Sequence, residues 1–293
     1  MAKFSIIIPH KNSFSLLVRC IESIPNRSDV EIIIVDDCSD SNIVSKKDLL
    51  GLRREKVEIV LLPESRGAGY ARNVGIEHAS GEWLIFSDCD DFFEKNFDKV
   101  LNDFADSSDD IIFFNVKCVD ENTLLETTNL SFEYYKKNIN LALETGDTKP
   151  LRYCMNPPWG KFVKKSLVEN YKIKFDELPV ANDLMFSLLT GFYANKVSVS
   201  SIYLYNWVIS SGSLSTLRSL DKCNCHLDVA IRKNHFLSEH DLDIYRVNLF
   251  KMMKLYKGKG FIDIIRTFIR VIKKTKSSLI FQDLQSAIQS YFK

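Results

Sequence analysis

The stretch WLIFSDCDD, residues 83–91, changes from an apolar run to a cluster of acids within two residues. Residues 83–86 are all aromatic or aliphatic, which predicts a short buried strand. Acids that follow such a strand lie at the carboxyl edge of the sheet, where open α/β sheets bind ligands. Three carboxylates this close repel one another unless a cation lies among them, and Mg²⁺ or Mn²⁺ accepts few carboxylates beside substrate phosphates. The stretch alone leaves two interpretations open, a metal–diphosphate site and a solvated acidic turn that caps the next helix.

The sequence before this stretch alternates between predicted strands and helices, which indicates an α/β protein with a doubly wound, mostly parallel sheet. The first two strands are near-continuous apolar runs, as expected of central parallel strands buried on both faces. The second strand also ends in acids, Asp36 and Asp37, and two acidic strand ends at one sheet edge favour the ligand site. The expected elements are strands over 3–9, 30–35 and 57–62 and helices over 14–24 and about 41–54. Later in the chain we expect a short hairpin arm over 123–130 and a strand pair over 196–207.

The composition is that of a globular protein. The chain has 293 residues, enough for one large α/β domain with an appendage or for two domains. Hydrophobic residues make up 45% and charged residues 26%, which is ordinary for a soluble chain. The seven cysteines are odd in number and scattered, no signal peptide precedes the first predicted strand, and no apolar run approaches the length of a membrane span. We therefore expect a cytoplasmic protein with reduced thiols.

Charge is divided unevenly along the chain. Residues 251–293 contain ten Lys or Arg and two Asp, whereas the whole chain carries a net charge of +1. A basic tail on an acidic body suggests a polyanionic partner. We expect an anionic membrane surface rather than nucleic acid, because the aromatic–basic interleaving of a base-stacking surface is missing.

The basic tail contains a predicted amphipathic helix over residues 258–276, suited to lying on an anionic leaflet. The alternative is an ordinary packing helix with a solvated basic face. The apolar face is expected to hold Phe261, Ile264, Ile265, Phe268 and Val271 or Ile272, and the other face Arg266, Arg270, Lys273 and Lys274.

Glycines and arginines alternate just before the acidic strand, in residues 63–75. Gly67 and Gly69 would let the backbone approach a ligand closely, and Arg66 and Arg72 bring positive charge. The segment is not a dinucleotide-binding fingerprint, because the third glycine is absent and the segment does not follow the first strand. It is not a P-loop either, because no Gly-Lys-Ser/Thr occurs. Neither of these two motifs therefore supports a nucleotide-binding role for this segment.

Three stretches in this order and spacing resemble the family 2 glycosyltransferases: SIIIPHKN (5–12), IIIVDDCSD (32–40) and RGAGYARNVGIEHASGEWLIFSDCDDFF (66–93). Members of this family are inverting, nucleotide-sugar-dependent enzymes of GT-A fold. The resemblance is strong over about 1–95, is thinner to about 215 and does not reach the tail. It implies a GT-A domain over 1–217, with a nucleotide-sugar half over 1–117 and an acceptor half over 118–217, followed by a helical region over 218–293.

The resemblance also implies how the donor nucleotide is held. Pro9 and Lys11 lie where the family lines the base pocket. Asp37 would accept the hydrogen bond from a pyrimidine N3–H, which suits uracil and hence a UDP-sugar. Arg66 and Arg72 are candidates for contacts with the base or the diphosphate, and Arg72 is equally a candidate to brace the acidic strand end.

Asp88, Cys89 and Asp90 would form the DXD motif of the family. By this resemblance Asp88 lies near the ribose and the metal, and Asp90 binds the Mn²⁺ or Mg²⁺ that bridges the two phosphates. Displacement of a nucleoside diphosphate with inversion needs such a cation on the leaving group and a base on the acceptor hydroxyl.

The predicted acceptor side lies later in the chain. Trp159, in a rigid segment after two prolines, would stack on a sugar ring, and the alternative is a core residue. Asp183 by itself is an ordinary helix-capping acid, but it falls where the family has its general base. Asn182 replaces the glutamate that the family has before that base, and it would orient the acceptor. A Ser-rich loop over 210–215 would close over the donor.

The sequence thus predicts an inverting transferase that moves a sugar from a UDP-sugar to a hydroxyl of a glycan, lipid-linked and of the bacterial surface-polysaccharide kind. One alternative is a sugar-phosphate nucleotidyltransferase. Such an enzyme normally has a Gly-rich loop with a basic residue after its first strand, whereas the turn here is Pro-His-Lys-Asn, residues 9–12. The other is a non-catalytic subunit that binds nucleotide or glycan. A zinc site at Cys223, Cys225 and His226 is disfavoured, because the two cysteines face different ways on one predicted helix.

Overall fold

The computed structural model describes residues 2–52, 54–209 and 219–290. These residues form two compact units. The first unit contains the described residues up to 209 except Pro179–Ala181, and the second contains Pro179–Ala181 together with 219–290.

The first unit is built on a single sheet of eight strands. In chain order the strands are β1 (Phe4–His10), β2 (Val30–Asp36), β3 (Val57–Leu61), β4 (Trp83–Phe86), β5 (Phe92–Phe93), β6 (Ile111–Asp120), β7 (Lys161–Lys164) and β8 (Val197–Ile209).

Eight α-helices accompany this sheet among the described residues of the first unit. They are α1 (Phe14–Glu22), α2 (Lys46–Leu50), α3 (Ala68–His78), α4 (Phe97–Phe104), α5 (Leu130–Thr145), α6 (Lys149–Cys154), α7 (Lys165–Asn170) and α8 (Leu184–Tyr193).

The strand order across the sheet is β3-β2-β1-β4-β7-β6-β8-β5. β1 is parallel to both β2 and β4, β2 is parallel to β3, and β6 is parallel to β8. β7 is antiparallel to its neighbours β4 and β6, and β5 is antiparallel to β8. The predicted α/β class with a mostly parallel sheet is therefore confirmed. The predicted halves, 1–117 and 118–217, share this one sheet, because β6 runs across the predicted division.

The centre of the sheet is buried, as the apolar runs of the sequence predict. Every residue of β1 and of β4 is buried. The ring of Phe162 on β7 packs against those of Phe4 and Trp83, with centroid separations of 5.8 and 6.1 Å. Tilted and edge-on contacts of this kind add to the hydrophobic stabilisation of a core. The central strands are thus held rigidly, and the segments that follow them start from fixed positions.

Three predicted elements differ from the structure. The helix predicted over 41–54 is shorter, because Ser45 caps α2 through its hydroxyl and Gly51 ends it. The strand pair predicted over 196–207 is the single strand β8, since irregular register at Asn115 of β6 accommodates its bend without a turn. The hairpin arm predicted over 123–130 contains one isolated bridge only, because the Asp120 carboxylate holds the start of the segment in a turn.

The second unit is helical, as the sequence predicts for the C-terminal region. Its core contains Leu227, Leu249, Tyr256 and Val271. No helix in the part of the chain that the structure describes is long and apolar enough to cross a bilayer. The predicted boundary at 217–218 and the predicted Ser-rich loop lie outside the described residues. The helices of the unit are α9 (Leu220–Glu239), α10 (Phe261–Lys274) and α11 (Ile280–Gln289), with 3₁₀ turns at Asp243–Tyr245, Lys251–Tyr256 and Ser277–Leu279.

Candidate active site

Three neighbouring strands end together at one edge of the sheet. Asp37, just after β2, donates its backbone N–H to the carbonyl of His10 at 2.8 Å. Ser87, just after β4, donates in the same way to Ile7 at 3.1 Å. Because β1, β2 and β4 are parallel, the segments after them leave the sheet side by side. The two acidic strand ends of the sequence therefore share one edge.

The Asp37 carboxylate holds the turn that precedes α3. It accepts hydrogen bonds from the Ser65 hydroxyl at 2.6 Å and from the backbone N–H groups of Arg66 and Gly67 at 2.7 and 3.0 Å. The Lys11 ammonium lies 3.7 Å from the same carboxylate. These contacts give Asp37 a structural task that the sequence did not indicate, and its role towards uracil stays a prediction.

The two glycines of this segment serve the backbone path. Gly67 has a φ of +87°, which an L-residue adopts only with strain. A Cβ on Gly69 would lie 2.0 Å from the carbonyl oxygen of Asp176. The close approach predicted for Gly69 is therefore made by a neighbouring segment of the protein, which lets α3 lie directly against that segment.

Arg72 on α3 connects the acidic turn with the segment before α8. Its side chain is buried, and it donates to Asp88 Oδ1 at 2.5 Å and to Asn182 Oδ1 at 3.0 Å. Its Nε–H is buried without a hydrogen-bond partner among the described residues. The contact with Asp88 is the bracing contact that the sequence left as one of two alternatives for this arginine.

Cys89 and Asp90 complete the acidic turn. A backbone hydrogen bond from Lys11 reaches the Cys89 thiol, whose pKa is raised by burial. Asp90 is exposed, but partial desolvation of its carboxyl, together with the neighbouring Asp88, raises its pKa to about 6. The Arg19 guanidinium contacts the backbone carbonyl of Asp90, and no described side chain donates to the Asp90 carboxylate. Among the described residues, the turn thus has an ion-pair partner only at Asp88, through Arg72.

This deficit of positive charge fits a divalent cation. Mg²⁺ and Mn²⁺ take one or two carboxylates and complete their shell with water and substrate phosphates. Asp88 and Asp90 supply such a donor set. The described residues hold no group of three or more His, Cys, Asp or Glu side chains arranged for a metal ion. The donor set here is consistent with a cation that is shared with a diphosphate.

Asp183 stands at the N-terminus of α8, next to Asn182. It occupies the N-cap position, but its side chain makes no capping hydrogen bond. Burial raises the pKa of Asp183, against the opposing fields of Arg72 and Lys161, and the nearby charge of Asp88 adds to the rise. The carboxyl is therefore electrostatically coupled to the acidic turn and shifted towards the range in which a general base operates.

Lys161 on β7 is a residue of this region to which the sequence analysis gave no role. It is 2% exposed, and its Nζ donates to the Ser187 hydroxyl on α8 at 3.0 Å. Burial lowers the pKa of Lys161 to about 7, and the field of Asp183 opposes this shift. The signal in the sequence was a lysine at the start of the otherwise apolar run Lys161-Phe162-Val163.

Asp91, the third acid of the turn, also went without a role in the sequence analysis. It is 1% exposed, and its carboxylate accepts from the Tyr205 hydroxyl at 2.8 Å and from the Val208 N–H at 2.7 Å. The same hydroxyl accepts from the backbone N–H of Asp88 at 2.9 Å. Burial raises the pKa of Asp91 well above its ordinary value. Asp91 therefore ties the acidic turn to β8.

Trp159 lies in the core instead of on an open surface. It is 6% exposed, and its ring stacks on that of Tyr205 with a centroid separation of 5.6 Å. The rings of Trp207 and Tyr135 lie 5.5 and 5.8 Å away. These contacts bury most of the ring, which favours the core alternative, and the predicted acceptor contact of Trp159 stays a prediction.

Pro9 and Arg66 also have protein partners. Pro9 is buried within β1, where it lies in register with Val35 of β2. The Arg66 guanidinium pairs with Glu177 and lies 3.6 Å from the centroid of the Tyr70 ring. A donor contact by Arg66 would have to share or replace these partners.

Comparisons with known proteins agree with the predicted family. The family model described as Glycosyl transferase family 2 matches residues 5–171. Poly(ribitol-phosphate) beta-N-acetylglucosaminyltransferase TarS of Staphylococcus aureus (strain Mu50 / ATCC 700699) is 26% identical over 97% of this chain and 52% of its own length. A poly(ribitol-phosphate) beta-glucosyltransferase of Bacillus spizizenii (strain ATCC 23059 / NRRL B-14472 / W23) is 30% identical over 71% of this chain and 32% of its own length. The chain thus spans about half of the first relative and about a third of the second.

A solved structure supports the fold. The crystal structure of S. aureus TarS 1-349 in complex with UDP-GlcNAc has a TM-score of 0.71 and 20% sequence identity. It covers 99% of this chain and 91% of that chain. At this identity the likeness shows the fold, and it confirms the predicted GT-A architecture. Because the family model matches more than half of the sequence, the chain belongs to the family 2 glycosyltransferases.

Proposed function

We propose that this glycosyltransferase moves a sugar, with inversion, from a UDP-sugar to a hydroxyl of a glycan in polysaccharide biosynthesis. One observation carries the proposal: Arg72 bonds both Asp88 of the acidic turn and Asn182, the neighbour of Asp183. Group transfer with inversion needs the leaving group and the acceptor base in one place, and this arginine joins the two candidate regions.

The donor proposal rests on the Asp37 turn and on the relatives. Lys11 and Asp37 lie together beside the acidic turn, at the position of the family's base pocket. A related enzyme of this fold was solved with UDP-GlcNAc. We infer that the uracil lies against Lys11 and Asp37, with Pro9 forming the floor from within β1, Asp88 near the ribose and Cys89 next to Asp88 in the nucleotide-sugar site. Arg66 would contribute positive charge near the diphosphate after exchanging its partner Glu177.

The metal proposal rests on the uncompensated charge of the acidic turn. Asp90, with Asp88, would hold Mn²⁺ or Mg²⁺. When bound, such a cation supplies charge stabilisation to the departing diphosphate. Arg72 keeps Asp88 in place, and Asp91 keeps the turn in place through Tyr205.

The base proposal rests on Asp183. Its carboxylate has no capping bond and a raised pKa, so in its ionised form it is a stronger base towards an acceptor hydroxyl than an ordinary aspartate. Asn182, fixed by Arg72, would orient that hydroxyl. The positive field of Lys161 favours the charged form of the Asp183 carboxylate. The acceptor proton thus goes to Asp183 as the acceptor oxygen bonds to the anomeric carbon, and the bond from that carbon to the diphosphate oxygen breaks, so that UDP leaves.

The acceptor proposal is a glycan, carried on a lipid, of the bacterial surface-polysaccharide kind. Two relatives are named as poly(ribitol-phosphate) glycosyltransferases, which supports a polyanionic acceptor as the first one to try. A cytoplasmic location at the inner face of the membrane is part of this proposal. The match to the glycosyltransferase family disfavours the nucleotidyltransferase alternative. The transfer assay below decides on the non-catalytic alternative.

The test combines binding with turnover. Thermal stabilisation by UDP, GDP, CDP and TDP is measured with and without Mn²⁺, and we expect UDP with Mn²⁺ to raise the melting temperature most. UDP release from UDP-GlcNAc and UDP-glucose is then followed with poly(ribitol phosphate) and with lipid-linked glycans. A preference for GDP would refute the uracil assignment, and metal-independent UDP binding would count against Asp90. Donor binding without turnover on any acceptor would favour the non-catalytic subunit.

A further inference from the structure

The helix α10 of the second unit exposes a long apolar strip. Only part of its apolar arc packs inward, where Thr267 and Val271 are buried. Two residues of its first turn, Phe261 and Ile262, are 77% and 63% exposed. Contiguous exposed apolar surface of this kind marks an interaction site more often than a free surface. The apolar strip consists of Phe261, Ile262, Ile265, Phe268, Ile269 and Ile272.

A groove opens beside this strip. It has a volume of about 510 Å³ and runs between the 3₁₀ turn Lys251–Tyr256, α10 and α11. Its walls are mainly apolar, and Phe268 belongs both to the groove and to the strip. Lys251 and Lys257 lie in its lining. The groove therefore extends the apolar surface and places ammonium groups along it.

Cations also border the other side of the strip. Arg266 and Lys273 follow Ile262 and Ile269 by four residues, so each lies beside its apolar neighbour on the helix surface. Among the described residues neither of these two cations has an ion-pair partner, whereas Arg270 pairs with Asp228. The cations nearest the strip are thus the ones without an internal counter-charge. We call Arg266 and Lys273 the basic flank.

The charges decide between possible occupants of this face. In a two-fold dimer the same patch meets itself, so a second copy would bring the basic flank and the groove lysines of both chains together. An anionic bilayer supplies hydrocarbon for the strip and phosphates for the cations at one surface. Because no described helix can cross a bilayer, the helix would lie in the interface without spanning it.

We propose that the apolar strip and the basic flank of α10 form a docking surface for an anionic lipid bilayer, with the adjoining groove taking up a hydrocarbon chain. The helix lies in the plane of the interface, its strip below the headgroups and its cations at their level. This attachment is independent of the nucleotide-sugar site, and it would bring the enzyme to the surface that holds a lipid-linked acceptor.

The test uses the full chain and sedimentation with vesicles of phosphatidylcholine alone or mixed with phosphatidylglycerol. We expect binding to the mixed vesicles at low salt and weaker binding at high salt, since salt screens exposed charges. The variant Arg266→Gln/Lys273→Gln should bind the mixed vesicles ~fivefold more weakly per charge removed. The variant Phe261→Gln/Ile269→Gln should lose binding even at low salt.

Two control variants carry the same changes on α5 and the segment before it, in the first unit. Lys136→Gln/Lys137→Gln removes two exposed cations, and Leu125→Gln/Leu130→Gln removes two exposed apolar side chains. Both should bind vesicles as the unaltered chain does, and all variants should keep the melting temperature and the UDP affinity.

The proposal is overturned if the unaltered chain ignores anionic vesicles, or if the control pairs lose as much binding as the α10 pairs. It is also overturned if light scattering shows a dimer that the α10 substitutions dissociate, because the strip is then covered by a second copy. Since none of these measurements uses catalysis, a failure here removes the proposed membrane location but leaves the proposed transfer reaction untouched, and a failure of the transfer assay leaves the docking surface untouched.

Discussion

The acidic edge of the first unit and the basic face of the second unit differ in how their charged side chains are buried and compensated. At the acidic edge Asp91 is buried, Asp88 is half-buried and Asp90 is exposed, and the buried donors Arg72 and Tyr205 fix the positions of Asp88 and Asp91. On α10 the cations nearest the apolar strip, Arg266 and Lys273, are exposed, and no described residue forms an ion pair with them. Buried like charges are costly unless a ligand compensates them, whereas exposed charges cost little and act through screened fields. The comparison teaches that the first cluster is built for a small charged ligand and the second for an extended surface.

The strongest way to break this comparison is to remove the candidate base. Asp183→Asn should lower turnover by ~10²–10⁴-fold, the usual contribution of general-base assistance, with UDP affinity nearly unchanged. UDP release and calorimetric titration with UDP and Mn²⁺ measure the two effects. The matched control is Asp221→Asn, which removes a carboxylate from the first turn of α9 and should leave turnover as it was. Equal losses in both variants would remove Asp183 from the mechanism.

Removing the buried guanidinium of Arg72 tests whether the acidic edge depends on buried donors. Arg72→Met leaves Asp88 and Asn182 without their shared partner, so we expect a loss of ~1–3 kcal/mol in the free energy of unfolding and weaker binding of UDP with Mn²⁺. Urea denaturation and titration calorimetry give the two values.

The control for Arg72→Met is Arg66→Met. Arg66 forms an exposed pair with Glu177, and such pairs contribute ~0–1 kcal/mol. If this variant loses as much stability as Arg72→Met, burial is not what distinguishes the two arginines, and the contrast between the two charge clusters fails.

A smaller effect is expected at the link between the acidic turn and β8. Tyr205→Phe removes the hydroxyl that bonds Asp91 and the Asp88 N–H, which should cost ~1–2 kcal/mol and weaken metal-dependent UDP binding. Tyr171→Phe keeps a ring stacked on Tyr193 at the surface and should change stability by less than ~0.5 kcal/mol. A stable Tyr205→Phe variant with unaltered UDP binding would show that the turn needs no such link.

The smallest effect concerns pH. The base works only as a carboxylate, so kcat/KM should fall as the pH falls through the pKa of Asp183, which burial places above the ordinary value. The positive field of Lys161 lowers that pKa, so Lys161→Met should move the acid limb of the profile to higher pH by a fraction of a unit. Lys174→Met, an exposed change, should leave the profile in place. A shift to lower pH in Lys161→Met would contradict the assigned coupling.

Much of the fold could be predicted because local signals and burial agree. The apolar runs of β1, β2 and β4 form buried strands as expected, and the acids after β2 and β4 share one edge. The predictions failed where one contact decides the outcome. Ser45 and Gly51 shorten α2, and an irregular register beside β8 replaces a turn. The cap of α2 is a local contact that leaves no trace in the periodicity, and the register of β8 depends on residues far apart in the chain.

The candidate site divides in the same way. The types of residue needed for a nucleotide-sugar site are visible in the sequence, and their order identified the family. Their partners are not visible there. Arg72 reaches Asn182 across 110 positions, and Tyr205 reaches Asp91 across 114. The sequence predicts that Trp159 contacts an acceptor, and it does not show the neighbours Tyr135, Tyr205 and Trp207 that bury most of its ring.

The sequence by itself determined the α/β class, the family and the edge of the sheet on which the acids gather, because strand periodicity and the alternation of elements are local properties. Only the tertiary structure decided which charges are compensated and which are left over. Packed neighbours bury Lys161, and they raise the pKa of Asp183 by desolvation. Much of the apolar arc of α10 stays exposed because few described residues pack against it. Burial and charge compensation are properties of the folded neighbourhood, and the same residues in another packing would behave differently.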